Sequence, residues 1–122
     1  MSKKERIEKD SLGELAVPEE AYYGIQTQRA SQNFPISGLK LHPAMVEAIA
    51  FIKKATAKTN FEFDRLEKAK AEAIGKASEE IIAGKHRDQF IVDVFQMGAG
   101  TSFHMNCNEV IANRAEELLA YT

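Results

Sequence analysis

Apolar residues recur at helical spacing along three long stretches of the chain. Met45, Ile49, Ile52 and Ala55 mark one face of a helix from about 43 to 59. Leu66, Ala69, Ala73, Ala77 and Ile81 mark the inner face of another, from about 65 to 83, with Gly84 as its stop. The alanines on that face predict a close approach of a neighbouring helix. Phe103, Cys107, Ile111, Ala115 and Leu118 form a third stripe, on a helix that starts near Thr101 and runs almost to Thr122. No capping residue or turn closes that last helix, which is the expected look of a piece of a longer protein.

The remaining stretches are less periodic. The first ten residues, MSKKERIEKD, are charged and read as loose. Residues 6–18, RIEKDSLGELAVP, hold two extendable stretches that predict a small β-hairpin around Ser11-Leu12-Gly13. Pro18 followed by Glu19 and Glu20 reads as a helix start, because proline fits a first turn and acidic side chains favour the positive end of the dipole. The predicted helix covers about 19 to 32, although Tyr22, Tyr23 and Gly24 weaken it. Residues 33–43, NFPISGLKLHP, form a connector. Phe90, Val92 and Val94 alternate with Ile91 and Phe95 in a short extended run. The expected fold is therefore mainly α: a small helical domain of about four helices with a short β-hairpin, spanning 1–122. Tyr22, Tyr23 and Phe63 are expected to be left facing outward.

Composition narrows the function classes. The chain has 122 residues, 44% hydrophobic and 28% charged, which suits one soluble globular domain. Its 16 basic and 18 acidic residues give a net charge of −2, without the basic excess of a nucleic-acid footprint. Lys3-Lys4 and Lys53-Lys54 read as solvated surface. A single cysteine excludes an intrachain disulfide and fits a reducing compartment. The N-terminus has no apolar signal core, and no run approaches the roughly 18 apolar residues of a membrane span. A cytoplasmic location is the expectation.

The candidate chemistry lies in residues 98–109, GAGTSFHMNCNE. Glycines before a helix start let a ligand approach the backbone, and the unpaired N–H groups and dipole of the first turn favour an anion. Thr101 and Ser102 add hydroxyl donors there. Spacing alone favours the plainer reading, that Thr101 caps the helix. His104 and Cys107 lie three residues apart and can face each other, which permits an activated thiol. A metal site would need Glu109 or His86 in addition. Against both, Cys107 shares the apolar stripe of Phe103 and Ile111 and reads as a buried structural cysteine. Asn106 and Asn108, poor helix formers, read as ties between backbone segments or as ligand contacts.

Two blocks carry a family resemblance. DQFIVDVFQMGAGTSFHMNCNEVIANRAEELL (88–119) resembles the aspartase/fumarase superfamily, whose pattern there is approximately Gln-x-Gly-Ala/Ser-Gly-Thr-Ser-x-Asn-Met-Asn-x-Asn-Glu-Val. GELAVPEEAYYGIQTQRASQNFPISG (13–38) carries the Tyr-Tyr-Gly and Gln-Thr-x-Arg-Ala elements of aspartate ammonia-lyases. The resemblance covers almost the whole chain. Within the superfamily Ala99 and Tyr22-Tyr23 look like aspartase, since fumarases usually have serine and tryptophan at those places. His104 departs from the asparagine usual at its position.

The resemblance implies the N-terminal domain of an aspartase/fumarase-type lyase, with the central helical bundle and C-terminal domain outside this chain. It implies a homotetramer whose active sites are each assembled from three subunits. The implied reaction is reversible deamination of L-aspartate to fumarate and ammonia, with class II fumarase as the alternative, or a non-catalytic structural module. A serine base on a mobile loop would remove the proton, and that loop lies beyond Thr122. The doubly charged aci-carboxylate would be stabilised by preorganised donors. Thr101 matches the threonine that hydrogen-bonds the substrate, with Ser102 and Gly100 as weaker substrate-binding candidates and no acid–base residue in this stretch. Arg29 and Gln26 would take structural or subunit-contact roles. The resemblance implies no metal and no organic cofactor for the basic reaction, although some aspartases are activated by divalent cations. The charge balance and the lack of long apolar runs point to no nucleic-acid or membrane partner.

Overall fold

A computed structural model describes residues 3–121. Its elements, in order, are β1 (Glu5–Asp10), β2 (Gly13–Pro18), α1 (Ile25–Asn33), α2 (Pro43–Glu62), α3 (Lys68–Ile82) and α4 (Thr101–Ala120), with single 3-10 turns at Arg87–Gln89 and Gly98–Gly100. The mainly helical fold with one hairpin is the one the sequence predicts. The chain divides into two compact units, Met1–Leu41 with Asp88–Val110 and His42–Arg87 with Ile111–Thr122, so that α4 contributes to both. Among the described residues no helix is long and apolar enough to cross a membrane.

In the first unit β1 and β2 pair antiparallel, from Glu5 opposite Pro18 to Asp10 opposite Gly13. Ser11 and Leu12 make the turn, where Asp10 Oδ1 accepts the Leu12 N–H at 2.8 Å and Gly13 takes a φ of +118° that a side chain would resist. The expected looseness of the first ten residues is thus corrected over residues 5–10. The half-buried face of β1 is Arg6, Glu8 and Asp10, and each finds a partner. Arg6 donates to the carbonyls of Pro18, Glu19, Ala21 and Tyr23 at 2.9–3.0 Å. Those bonds hold residues 18–23 outside any helix. Pro18 accordingly ends β2, and α1 begins at Ile25, six residues later than the sequence predicts. Val17, Ala21 and Ile25 form an apolar cluster, with Leu15 and Tyr23 packed against it. Tyr22 and Tyr23 are half-buried.

In the second unit α2 packs on α3. Pro43 opens α2, and His42 Nδ1 accepts the Ala44 N–H at 3.1 Å as its cap. The buried face of α2 is Val46, Ala50 and Ala57. Met45 and Ile52 are 52% and 57% exposed, so the stripe expected from the larger apolar residues is the wrong one. α3 buries Ala71, Ala73, Ala77, Ser78 and Ile81. Ala73, Ala77 and Ile81 are as predicted, while Ala69 is exposed and Leu66 half-buried. Small residues on both helices permit the close approach. Gly84, at φ +93°, ends α3, and its N–H donates to the Ile81 carbonyl at 3.0 Å.

A charged network closes this unit. Arg114 of α4 donates to both oxygens of Glu80, from Nε and Nη2, at 2.8 Å each, and pairs with Glu117. His86 Nε2 lies 2.7 Å from Glu80 Oε2. The Arg114 hydrogen bonds hold the Glu80 carboxyl down to about 2, with His86 assisting and burial opposing. Ile111 and Ala115 of α4 are buried here, whereas Leu118 is half-buried.

Candidate functional site

The segment that leads to α4 is fixed by buried polar groups. Asp93, only 5% exposed, accepts N–H bonds from Phe95, Ser37 and Gly38 at 2.7–2.9 Å, together with the Ser37 hydroxyl. The Phe95 N–H leads in holding this carboxyl at about 2. Burial opposes it, and the Ser37 and Gly38 donors assist. Instead of a full strand, residues 90–95 make one isolated bridge, Lys40 opposite Asp93. Fully buried Asn106 accepts the Ile91 N–H at 3.0 Å and donates to the Gln89 carbonyl at 2.9 Å. It is the backbone tie the sequence predicts. Asn108 instead places its amide 3.6 Å from the Met105 sulfur.

At the start of α4 the backbone is strained. Ala99 and Gly100 follow one another at φ +64° and +71°. A non-glycine residue in that region costs roughly 1–2 kcal/mol and persists only where its surroundings enforce it. Thr101 is exposed, and its hydroxyl donates weakly to the Gly98 carbonyl at 3.4 Å. It is the first helical residue, so the expected capping role is corrected. The cap comes from Gln96, whose Oε1 accepts the Phe103 N–H at 2.7 Å. Sequence reasoning gave Gln96 no role, because it stands seven positions before the N–H it satisfies. Two signals point to it: the glutamine that heads the family pattern at this place, and the glycine at position 100, where a capping side chain would normally stand. Ser102 is buried and Gly100 half-buried.

Thr101 and Ser102 line a cleft of about 180 Å³ with Gln26, Arg29, Asn33 and Met105 among its walls. Arg29 is held by Asp10, with Nη2 at 2.9 Å from Oδ1. Burial pushes the Asp10 carboxyl up, but the Leu12 N–H and Arg29 outweigh it and leave the group below its ordinary range. The start of α1 is occupied by the protein's own carboxylates. Glu8 accepts the Ile25 N–H at 2.8 Å. Glu109 accepts from the N–H groups of Gln26 and Thr27 at 3.1 and 2.7 Å, and from the Thr27 hydroxyl. Negative charge is favoured there by the unpaired donors and the dipole.

The residues named for a thiol or metal site differ in burial and in partners. Cys107 is fully buried and His104 is exposed. Glu109 is engaged with α1 and His86 with Glu80. Among the described residues no three His, Cys, Asp or Glu side chains are grouped to hold a metal ion.

Comparison with known proteins agrees across sequence and fold. A family model described as "Lyase" matches residues 13–121. An aspartate ammonia-lyase of Bacillus sp is 54% identical over 114 residues, covering 93% of this chain and 24% of that protein. A class II fumarate hydratase of Halobacterium salinarum is 56% identical over 119 residues, covering 98% and 25%. The crystal structure of a fumarate lyase:delta crystallin from Brucella melitensis superposes with a TM-score of 0.93 at 52% identity, over 96% of this chain and 28% of that one. A class II fumarase from Schistosoma mansoni gives 0.94 at 38% identity, over 98% and 25%. The chain spans about a quarter of the length of the curated relatives it matches. With the family model covering nearly all of it and close relatives on both branches, the chain belongs to the aspartase/fumarase superfamily of lyases.

Proposed function

We propose that the chain is the N-terminal domain of an aspartate ammonia-lyase, acting in the cytoplasm as a homotetramer, and that Thr101 binds the substrate. L-Aspartate would lose ammonia and the proton next to its side-chain carboxylate, giving fumarate. Thr101 would donate its hydroxyl to the substrate and orient it, while the proton goes to a base outside this chain. Ser102 and the backbone at Gly100 would assist. The observation that carries the reading is the exposed Thr101 at the strained Ala99-Gly100 turn, beside a cleft walled by polar groups. Strain of this kind concentrates at functional sites, and the start of a long helix favours a carboxylate. Ala99 and Tyr22-Tyr23 favour aspartase over fumarase.

The test is made on the full-length enzyme, by following fumarate absorbance. Aspartate should support turnover in the ammonia-eliminating direction, and malate should not. Thr101→Val should lower kcat/KM for aspartate by roughly tenfold or more, the value of one lost hydrogen bond to a charged group. Unchanged kinetics would remove Thr101 from the site. Turnover of malate in place of aspartate would move the chain to the fumarase reading.

A further inference from the structure

We propose that Gln96 is the positioning residue of the Thr101 site. The inference rests on Thr101 being a substrate ligand. Gly100 precedes α4 and has no side chain with which to cap it. Gln96 reaches across the turn instead: Oε1 accepts the Phe103 N–H at 2.7 Å, while Nε2 donates to the Asp93 carbonyl at 2.9 Å. One amide thus joins the segment before the turn to the helix after it. The Asp93 end of the brace is itself immobilised, since its carboxylate accepts the N–H groups of Ser37, Gly38 and Phe95.

Between the two anchor points lie Ala99 and Gly100 at φ +64° and +71°. Left-handed backbone at a residue with a β-carbon relaxes unless something closes the turn around it. The Gln96 brace supplies that closure, and the direction of the Thr101 hydroxyl follows from it. Among the described residues, what holds the Thr101 hydroxyl is its 3.4 Å contact to the Gly98 carbonyl, a weak bond at that length. Its aim therefore depends on the backbone, and the backbone depends on Gln96. Misplacement by about an ångström of a group that orients substrate costs up to roughly a hundredfold.

The test is a double-mutant cycle in the full-length enzyme. Gln96→Met keeps the length of the side chain and removes both hydrogen bonds. In the otherwise unaltered enzyme it should lower kcat/KM for aspartate by roughly tenfold to a hundredfold. In a Thr101→Val background the same change should cost less than about threefold, because it has no hydroxyl left to misdirect. Equal losses in both backgrounds mean that Gln96 only stabilises the fold, and overturn the proposal while leaving the substrate role of Thr101 intact. If Thr101→Val alone has no effect, the reading of the site fails first. Should Gln96→Met not fold by circular dichroism, the cycle is run with Gln96→Glu, which keeps the acceptor for Phe103 and loses the donor to Asp93. Its smaller loss must again disappear in the Thr101→Val background, and additive losses overturn the proposal.

Discussion

At the scale of single residues, the chain uses side chains to complete backbone that secondary structure leaves open. Glu8 and Glu109 fill the start of α1, Gln96 the start of α4, and Arg6 the carbonyls of residues 18–23. Gly24 is the residue on which one of these arrangements turns. A β-carbon there would overlap the Glu109 carboxylate and crowd Glu8 Oε2 at 3.0 Å. Gly24→Ala should therefore displace Glu109 from the Gln26 and Thr27 N–H groups and destabilise the protein by about 2 kcal/mol. Gly75→Ala is the matching control. It lies inside α3, and its added carbon meets nothing within 4 Å. It should stabilise by about 0.5–1 kcal/mol, the helix-propensity difference. Chemical denaturation of both variants measures the contrast, and equal effects would show that Gly24 is not packed against Glu109. The Gly24 constraint is invisible in sequence, because it joins residues 85 positions apart through a side chain rather than an apolar contact.

At the scale of elements, α2, α3 and α4 were legible and α1 was not. Period and stop signals gave the three long helices, since each buries a stripe and α3 ends on Gly84 at φ +93°. Two elements defeated the same reasoning for one reason. The inner residues of β1 are Arg6, Glu8 and Asp10, so a half-buried strand reads as a solvated tail. The Pro18-Glu19-Glu20 run imitates a helix start, but Arg6 ties the next carbonyls down. The α2 stripe failed differently: Met45 and Ile52 outweigh Val46 and Ala50 in bulk, yet the small residues face α3. The contact between α3 and α4 yields a pH prediction. Glu80, lowered from its ordinary 4.5 to about 2 chiefly by Arg114, binds fewer protons folded than unfolded. Its contribution is present above about pH 4.5 and fades as pH falls toward 2. The shift corresponds to about 3 kcal/mol at neutral pH. Arg114→Met should therefore lower stability at pH 7 and flatten the acid limb of the stability curve between about pH 4.5 and 2. Asp93, lowered to about 2, titrates in the same window, so some acid sensitivity should survive in the variant. An unchanged acid limb would show that Glu80 gains nothing from Arg114.

At the scale of the whole molecule, the question is what a domain with this cleft can do unaided. Eliminating ammonia from aspartate needs a group that accepts the carbon-bound proton as well as donors that hold the resulting aci-carboxylate. Of the described side chains that line the cleft beside Thr101 the charged one is Arg29, held from behind by Asp10, and a guanidinium offers donors and no acceptor. The other polar walls are Gln26, Asn33, Thr101 and Ser102, which orient and donate. On the proposed reading, the described residues that line the cleft bind and orient, and none of them is a carboxylate, histidine or lysine. Apolar side chains are also left outward, with Phe51, Phe63 and Met97 all more than half exposed. The purified 122-residue chain should therefore show no fumarate formation from aspartate above the protein-free rate, while the full-length enzyme turns over under the same conditions. Ammonia release is measured in parallel, so that slow consumption of fumarate cannot hide a product. Turnover by the short chain that is lost in Thr101→Val would mean that the cleft carries its own base, and the division of labour argued for this domain would be wrong.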